Sequence, residues 1–282
     1  MSATQSERAA RFRALHERPG TFIIPNPWDA GTARLLEGLG FEALTTTSAG
    51  LAFSLGRRDG SVSRGEAIAN AKMIVDATDL PVAADLENGY GHDPEDVADT
   101  IARAAEVAGL VGGSIEDYTG NPADPIYGFD HAVERVAAAA EAAWALPFPF
   151  MLVGRAENHI RGRPDLDDTI RRLHAYEEAG ASVLFAPGLT RAEDIRTVCR
   201  SVTAPVNVVM GLQGTPFSVA ELAEMGVRRI SVGSALTRAA LGAFLRAAKE
   251  MKERGTFDFA GDAIPFAEIS ALMGKEPVGV PG

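Results

Sequence analysis

A single cysteine, Cys199, stands in 282 residues, which excludes an intramolecular disulfide framework and a cysteine-built zinc cluster. Lysine is nearly as scarce: Lys72, Lys249, Lys252 and Lys275 are the only four among 27 basic residues. All fall in expected helices or in the tail, so no strand end offers a lysine for Schiff-base chemistry of the aldolase kind. No strand end carries paired histidines either, which removes a zinc hydrolase site. Positive charge is short overall. A net charge of -11 with no basic run argues against nucleic acid or an anionic membrane as partner. The expected ligand is small, and it can still be an anion, because a local arginine or metal overrides the global sign. No stretch approaches the ~18 apolar residues of a membrane span. The opening MSATQSERAARFRALHERPG is polar and lacks the apolar core of a signal segment. A soluble, cytoplasmic protein is expected.

With 46% hydrophobic residues, a chain of this length can bury a full core, as one α/β barrel or as two smaller domains. Spacing decides between them. Within an N-terminal segment 1–18, a helical pattern from about Gln5 to His16 puts Phe12 and Leu15 on one side, and Pro19-Gly20 stops it. Beyond it one unit recurs: a short apolar strand, a polar loop, a helix rich in alanine and leucine, then glycine. The expected strands are Thr21 to Ile24, Ala43 to Thr47, Val82 to Asp85, Gly112 to Glu116, Phe150 to Arg155, Ser182 to Ala186, Val206 to Val209 and Arg229 to Val232. Eight such units in about 230 residues fit a single (β/α)8 TIM barrel, an α/β fold over 1–282, better than a doubly wound sheet. Gly40, Gly109, Gly180 and Gly226 stand where a left-handed cap precedes the next strand. Ser63-Arg64-Gly65-Glu66 reads as a capping box. After an eighth helix, roughly Ser234 to Arg254, residues 255–282 form an extension. Its short helix, Pro265 to Met273, carries an apolar stripe of Phe266, Ile269 and Leu272. That stripe needs a partner, either its own barrel or a neighbouring subunit.

In such barrels reactive groups gather at the carboxyl ends of the strands. The third strand runs from Val82 into Asp85 and on through Glu87-Asn88-Gly89-Tyr90-Gly91. Asp85 and Glu87 stand two apart, so a strand persisting through both points them to the same side. Like charges there call for a cation between them. A hard divalent ion such as magnesium, which takes few carboxylates and keeps several waters, is the natural candidate. Alone, the pair would read as a solvated acidic turn, but other strand ends supply matching groups. Strand two ends in Thr45-Thr46-Thr47-Ser48-Ala49-Gly50, whose small residues let backbone amides approach an anion. The loop beyond carries Asp59, strand four ends in Glu116-Asp117 and strand five in Arg155. Acidic groups thus face one arginine, a combination suited to a carboxylate-held metal and a substrate carboxylate clamped by guanidinium and backbone donors. Asp29 reads equally as a helix cap, and His159 as a loop histidine. Ser231-Val232-Gly233-Ser234 reads as a tight turn capped by Ser234 rather than a phosphate loop, because the facing Gly211-Leu212-Gln213-Gly214 brings no cation.

The segments TTSAGLAFSLGRRD, DLENGYG, SIED, VGRAEN and IPFAEISALMG together resemble the isocitrate lyase and phosphoenolpyruvate mutase superfamily, over nearly the whole chain. The resemblance implies a magnesium-dependent barrel enzyme, with manganese as a substitute ion, that stabilises the enolate of pyruvate or a related 2-oxo acid. It implies Asp85 as direct metal ligand, with Asp59, Glu87 and Glu116 holding the ion's waters. Thr47, Ser48 and Ala49 would donate to the substrate carboxylate, with Arg155 opposite. A homo-oligomer, tetramer or dimer, that exchanges a C-terminal helix is implied as well. The physics agrees, since a divalent ion bridging two substrate oxygens is a Lewis acid for enolate charge.

Lyases of that superfamily carry a Lys-Lys/Arg-Cys-Gly-His loop after strand four, whose cysteine is the acid/base. Here the loop from Asp117 to Asp130 has no cysteine, lysine or histidine, and Cys199 lies in the sixth helix. The strand-six end, Phe185-Ala186-Pro187-Gly188, lacks the glutamate or histidine that relatives place there. The expected reaction is therefore cleavage of a carbon–carbon bond in a small 2-oxo or 2-hydroxy dicarboxylate, decarboxylase-like or retro-aldol, needing only an enolate and a proton source. Arg155, Glu116, Tyr118 and Asn121 are the candidate catalytic residues, with Asp124 and Tyr127 as further loop contributors. The Gly- and Pro-rich loop suits a lid that excludes water. Phosphonopyruvate hydrolysis or mutase-like carbon–phosphorus chemistry, and a non-catalytic 2-oxo acid binder, are the alternatives.

Overall fold

A computed structural model describes residues 3–212 and 217–274 of the chain. Its eight strands are parallel and neighbour one another in the order β1-β8-β7-β6-β5-β4-β3-β2. They are β1 (Phe22–Ile23), β2 (Leu44–Thr45), β3 (Val82–Asp85), β4 (Gly112–Glu116), β5 (Met151–Arg155), β6 (Val183–Phe185), β7 (Val206–Val209) and β8 (Arg229–Ser231). The two end strands share no ladder. The Thr45 N–H donates to the Pro25 carbonyl at 3.1 Å and the Asn26 side-chain amide to the Thr46 carbonyl at 2.9 Å, which brings the ends together into a (β/α)8 barrel. Every expected strand is present, but the first two are only two residues long. Pro25 has no N–H to continue the ladder. Thr47 has already left the sheet as N-cap of a helix, its Oγ1 accepting from Gly50 N–H at 3.2 Å.

The N-terminal helix α1 (Gln5–Glu17) plugs the bottom of the barrel, where Phe12 and Leu15 pack with Phe22, Ile24, Met151, Val153 and Val183. Gly112 makes room for it: a Cβ there would lie 2.8 Å from both the Phe12 ring and the Met151 carbonyl oxygen. The larger core lies outside the sheet, where Leu44, Ile115, Leu152 and Ile230 meet the apolar faces of the surrounding helices. Those helices are α2 (Ala30–Gly38), α4 (Arg64–Ala77), α5 (Pro94–Glu106), α6 (Phe129–Trp144), α7 (Leu166–Glu178), α8 (Ala192–Ser201), α9 (Val219–Glu224) and α10 (Ala235–Arg254), with α3 (Ser48–Ser54) inserted after β2. The Ser63–Glu66 capping box opens α4 as expected, whereas Ser234 makes no side-chain cap bond at the start of α10.

Gly255, at φ 65°, ends α10 and turns the chain through a short 3-10 helix (Asp258–Asp262) into α11 (Phe266–Met273). In this single chain α11 lies against α2, with the Arg34 guanidinium donating to the Met273 carbonyl. Phe266 stays 85% exposed. Gln213, Gly214 and residues 275–282, including Lys275, lie outside the described residues. No described helix is long and apolar enough to cross a membrane.

Candidate active site

Arg155, at the end of β5, is the hub of the barrel mouth. Its Nη1 lies 3.5 Å from Asp85 Oδ1 and 3.2 Å from Glu116 Oε2, and its Nε donates to Glu157 Oε1 at 2.6 Å. Strand register brings these groups together. Glu116 is the direct neighbour of Arg155 across β4 and β5, and Asp85 pairs with Ser114 across β3 and β4. Burial alone would lower the Arg155 pKa, but Glu116, Glu157 and Asp85 outweigh it and raise it. Burial pushes the Glu116 carboxyl well above the usual range, against the pull of Arg155.

Asp85 is aimed by the hydroxyl-rich end of β2. Its Oδ2 accepts from Ser48 Oγ at 2.8 Å and Ser48 N–H at 3.3 Å, and its own N–H donates to Thr46 Oγ1 at 3.1 Å. The strand does not persist to Glu87. Its N–H turns back to Asp85 Oδ1 at 3.3 Å and its φ is 49°, so the two carboxylates converge through a left-handed turn instead of by strand alternation. Burial, Asp85 and Asp59 together push the Glu87 carboxyl up to about 8. Its Oε1 is buried without a hydrogen-bond partner. Asp59 sits on an exposed loop with its carboxylate turned to the mouth, where burial and the Asp85 charge raise its pKa.

Two adjoining cavities share Ser48, Asp59 and Arg155. One, of about 330 Å³, opens between Glu87, Glu116, Tyr118 and Arg161. The other, of about 160 Å³, descends past Thr47, Ala49 and Asp85 into the barrel as far as Asn207 and Arg229. Asp85, Asp59, Glu87 and Glu116 therefore share one mouth. Among the described residues, however, no three of His, Cys, Asp and Glu are drawn together tightly enough to cage a metal. The orphaned Glu87 oxygen beside two further carboxylates fits a hydrated divalent ion, which needs only one or two direct carboxylates.

The loop after β4 forms a small hairpin, bridged between Tyr118 and Ile126. Tyr118 lines the mouth beneath Arg161, whose guanidinium stacks 3.5 Å from the ring centroid. Asn121 does not line it: its Oδ1 accepts from Ala123 N–H at 3.0 Å within its own turn. Asp124 is a surface residue 3.7 Å from Arg163. Tyr127 anchors the loop, its hydroxyl 2.6 Å from His92 Nδ1. Glu116 and Asp117 point to opposite faces of the sheet. Asp117 is buried among the helices, accepting from Tyr176 Oη at 2.6 Å and Arg172 at 3.1 Å. Asp29 caps α2. The Ser231–Ser234 turn spends the Val232 and Gly233 amides on Asn26 Oδ1, at 2.8 and 2.9 Å, so it is no phosphate cradle. Sequence reasoning missed Arg161 and the role of Glu157, which bind each other at 2.8 Å. Their spacing of four, just past a strand end, is the signal that could have found them.

Known proteins resemble the chain in sequence and in shape. A protein of Mycobacterium tuberculosis, described only as uncharacterised, is 32% identical, covering 93% of this chain and 95% of that one. The 2,3-dimethylmalate lyase of Eubacterium barkeri is 28% identical, covering 96% of this chain and 95% of the lyase. A crystal structure from Burkholderia cenocepacia, provisionally assigned as a lyase/mutase, is 59% identical with a TM-score of 0.95, covering 97% of this chain and 99% of that one. The phosphoenolpyruvate phosphomutase family model matches residues 12–252. The chain belongs to that family, within the isocitrate lyase and phosphoenolpyruvate mutase superfamily.

Proposed function

We propose that the chain is a magnesium-dependent enzyme that holds the enolate of pyruvate or a related 2-oxo acid, formed by breaking a carbon–carbon bond of a small 2-oxo or 2-hydroxy dicarboxylate. One observation carries the reading: the buried Glu87 carboxyl, with an oxygen that has no partner, faces the Arg155–Asp85–Glu116 cluster across the barrel mouth. Magnesium, or manganese in its place, supplies a Lewis acid for the enolate oxygens when bound. Asp85 would ligate it, with Asp59, Glu87 and Glu116 accepting from its waters. Arg155 holds fixed positive charge opposite Thr47 and the Ala49 N–H, which together take the substrate carboxylate. Ser48, already bonded to Asp85, orients that carboxylate instead. Tyr118 is the phenol at the cleft and the proposed proton source, stacked with Arg161 to keep water out. Asn121 acts only through the shape of its turn. The similarity to a 2,3-dimethylmalate lyase supports carbon–carbon cleavage. A homo-oligomer, tetramer or dimer, is the proposed assembly, because the exposed Leu241, Phe244 and Leu245 of α10 and Phe266 of the tail need covering.

Pyruvate release from oxaloacetate, 2,3-dimethylmalate, 2-methylisocitrate and phosphonopyruvate tests the proposal. The expected result is product from a carbon–carbon substrate, lost on chelation and restored by magnesium. Product from phosphonopyruvate alone overturns it, as does a ligand-induced thermal shift with no product from any of the four.

A further inference from the structure

Deep in the barrel, below the mouth, the cavity is built around a second arginine. Arg229, the first residue of β8, is 3% exposed. Its Nε donates to Asn207 Oδ1 at 2.9 Å, and its Nη1 lies 3.4 Å from His16 Nε2. His16 Nδ1 lies 2.8 Å from the Phe12 carbonyl. That contact requires the proton on Nδ1, which leaves Nε2 to accept from the guanidinium. Burial and the neighbouring Arg229 charge push the His16 pKa down to about 3, so it adds no compensating or competing charge of its own. Nη2 makes no hydrogen bond to a described residue.

The contrast with Arg155 is one of charge. Arg155 touches three carboxylates. No described carboxylate pairs with Arg229, and burial is the sole influence on its pKa, which falls to about 9. Thr45, Ser114 and Ser231 line the same cavity with hydroxyls, and Asn207 Nδ2 donates to Ser231 Oγ at 3.0 Å, which turns the amide oxygen toward Arg229. The carboxylates of this cavity, Asp59 and Asp85, lie toward the mouth and do not pair with Arg229. Its own neutral partners solvate the cation without neutralising it, and an unpaired buried charge is strongly disfavoured.

We propose that Arg229 forms a second, buried anion site inside the barrel, taking a small monoanion of halide size or a carboxylate group, with Thr45 and Ser114 as further donors. The site is the inner end of the same cavity that Asp85 lines nearer the mouth. Because Arg229 bonds Asn207 and His16 rather than Asp85, Asp85→Ala is expected to leave its anion binding intact. Crystals of the whole chain soaked in sodium bromide and measured at the bromine edge are expected to show an anomalous peak in hydrogen-bond contact with Arg229 Nη2. A second soak adds oxaloacetate: displacement of the peak by carboxylate density assigns the site to the acid, and persistence assigns it to the free ion. In solution, chloride in place of gluconate at equal ionic strength is expected to raise the unfolding midpoint by about 2–4 °C, and Arg229→Met to remove that difference. An Arg229 that holds neither bromide in the first map nor a carboxylate in the second overturns the proposal, and that result needs no variant to fold.

Discussion

Arg155 does two jobs that pull on different measurements. It is proposed to clamp the acid, and it also neutralises Glu116 and the fully buried Glu157. Arg155→Ala therefore leaves both buried carboxylates with Arg161 as their one remaining partner cation, and a loss of about 3 kcal/mol is expected by urea unfolding, in addition to weaker binding of the acid. Asp85→Ala removes an acid rather than a cation, so it is expected to leave the fold close to wild type and cut pyruvate release at least ~1,000-fold. Wild-type turnover from that variant would place the chemistry elsewhere. Asp85, Glu116 and Arg155 were legible in the sequence because each ends an apolar run, and barrel strands deliver such residues to one rim. Glu157 and Arg161 were not, because their value lies in a contact made after the chain has left the sheet. Arg229 was hidden for another reason: in an Arg-Arg doublet nothing marks which residue faces inward until the register with Asn207 is known.

At the level of elements, the eight strands were readable from their spacing, but the turn at Glu87 was not. Alternation places Asp85 and Glu87 on one side, and the chain reaches the same result through a left-handed residue that a hydrogen bond back to Asp85 imposes. The floor made by α1 supplies two tests. Gly112→Ala forces a methyl group against Phe12 and the Met151 carbonyl, and a loss of about 1–3 kcal/mol in denaturant unfolding is expected. His16, packed on that floor, titrates near 3 in the folded chain against 6.5 in its ordinary state. Between those values the unfolded chain binds the extra proton. Stability therefore falls as pH drops from 6.5 toward 3, by up to about 1.4 kcal/mol per unit from this residue, and is unaffected by it above 6.5. His16→Gln is expected to flatten the difference between urea midpoints at pH 7 and pH 5.

For the molecule as a whole, α10 is the anomaly. It runs for 20 residues yet buries only Thr237, while Phe244 and Leu245 remain more than half exposed. A lone copy would carry an apolar flank that soluble chains rarely leave bare. Light scattering is expected to give a mass that is a multiple of 29.7 kDa, and Phe244→Glu combined with Phe266→Glu to shift it toward one copy. A wild-type monomer would show that the flank has another use.

Asn26 ties β1 to the β2 end through the Thr46 carbonyl and to the turn after β8 through the Val232 and Gly233 amides. During synthesis the first two strands leave the ribosome long before the eighth, and they have almost no ladder of their own to hold them. The clasp that fastens the cylinder thus stays half-made until β8 has emerged, and a nascent chain halted before Val232 lacks both backbone donors for Asn26 Oδ1 and cannot close its sheet.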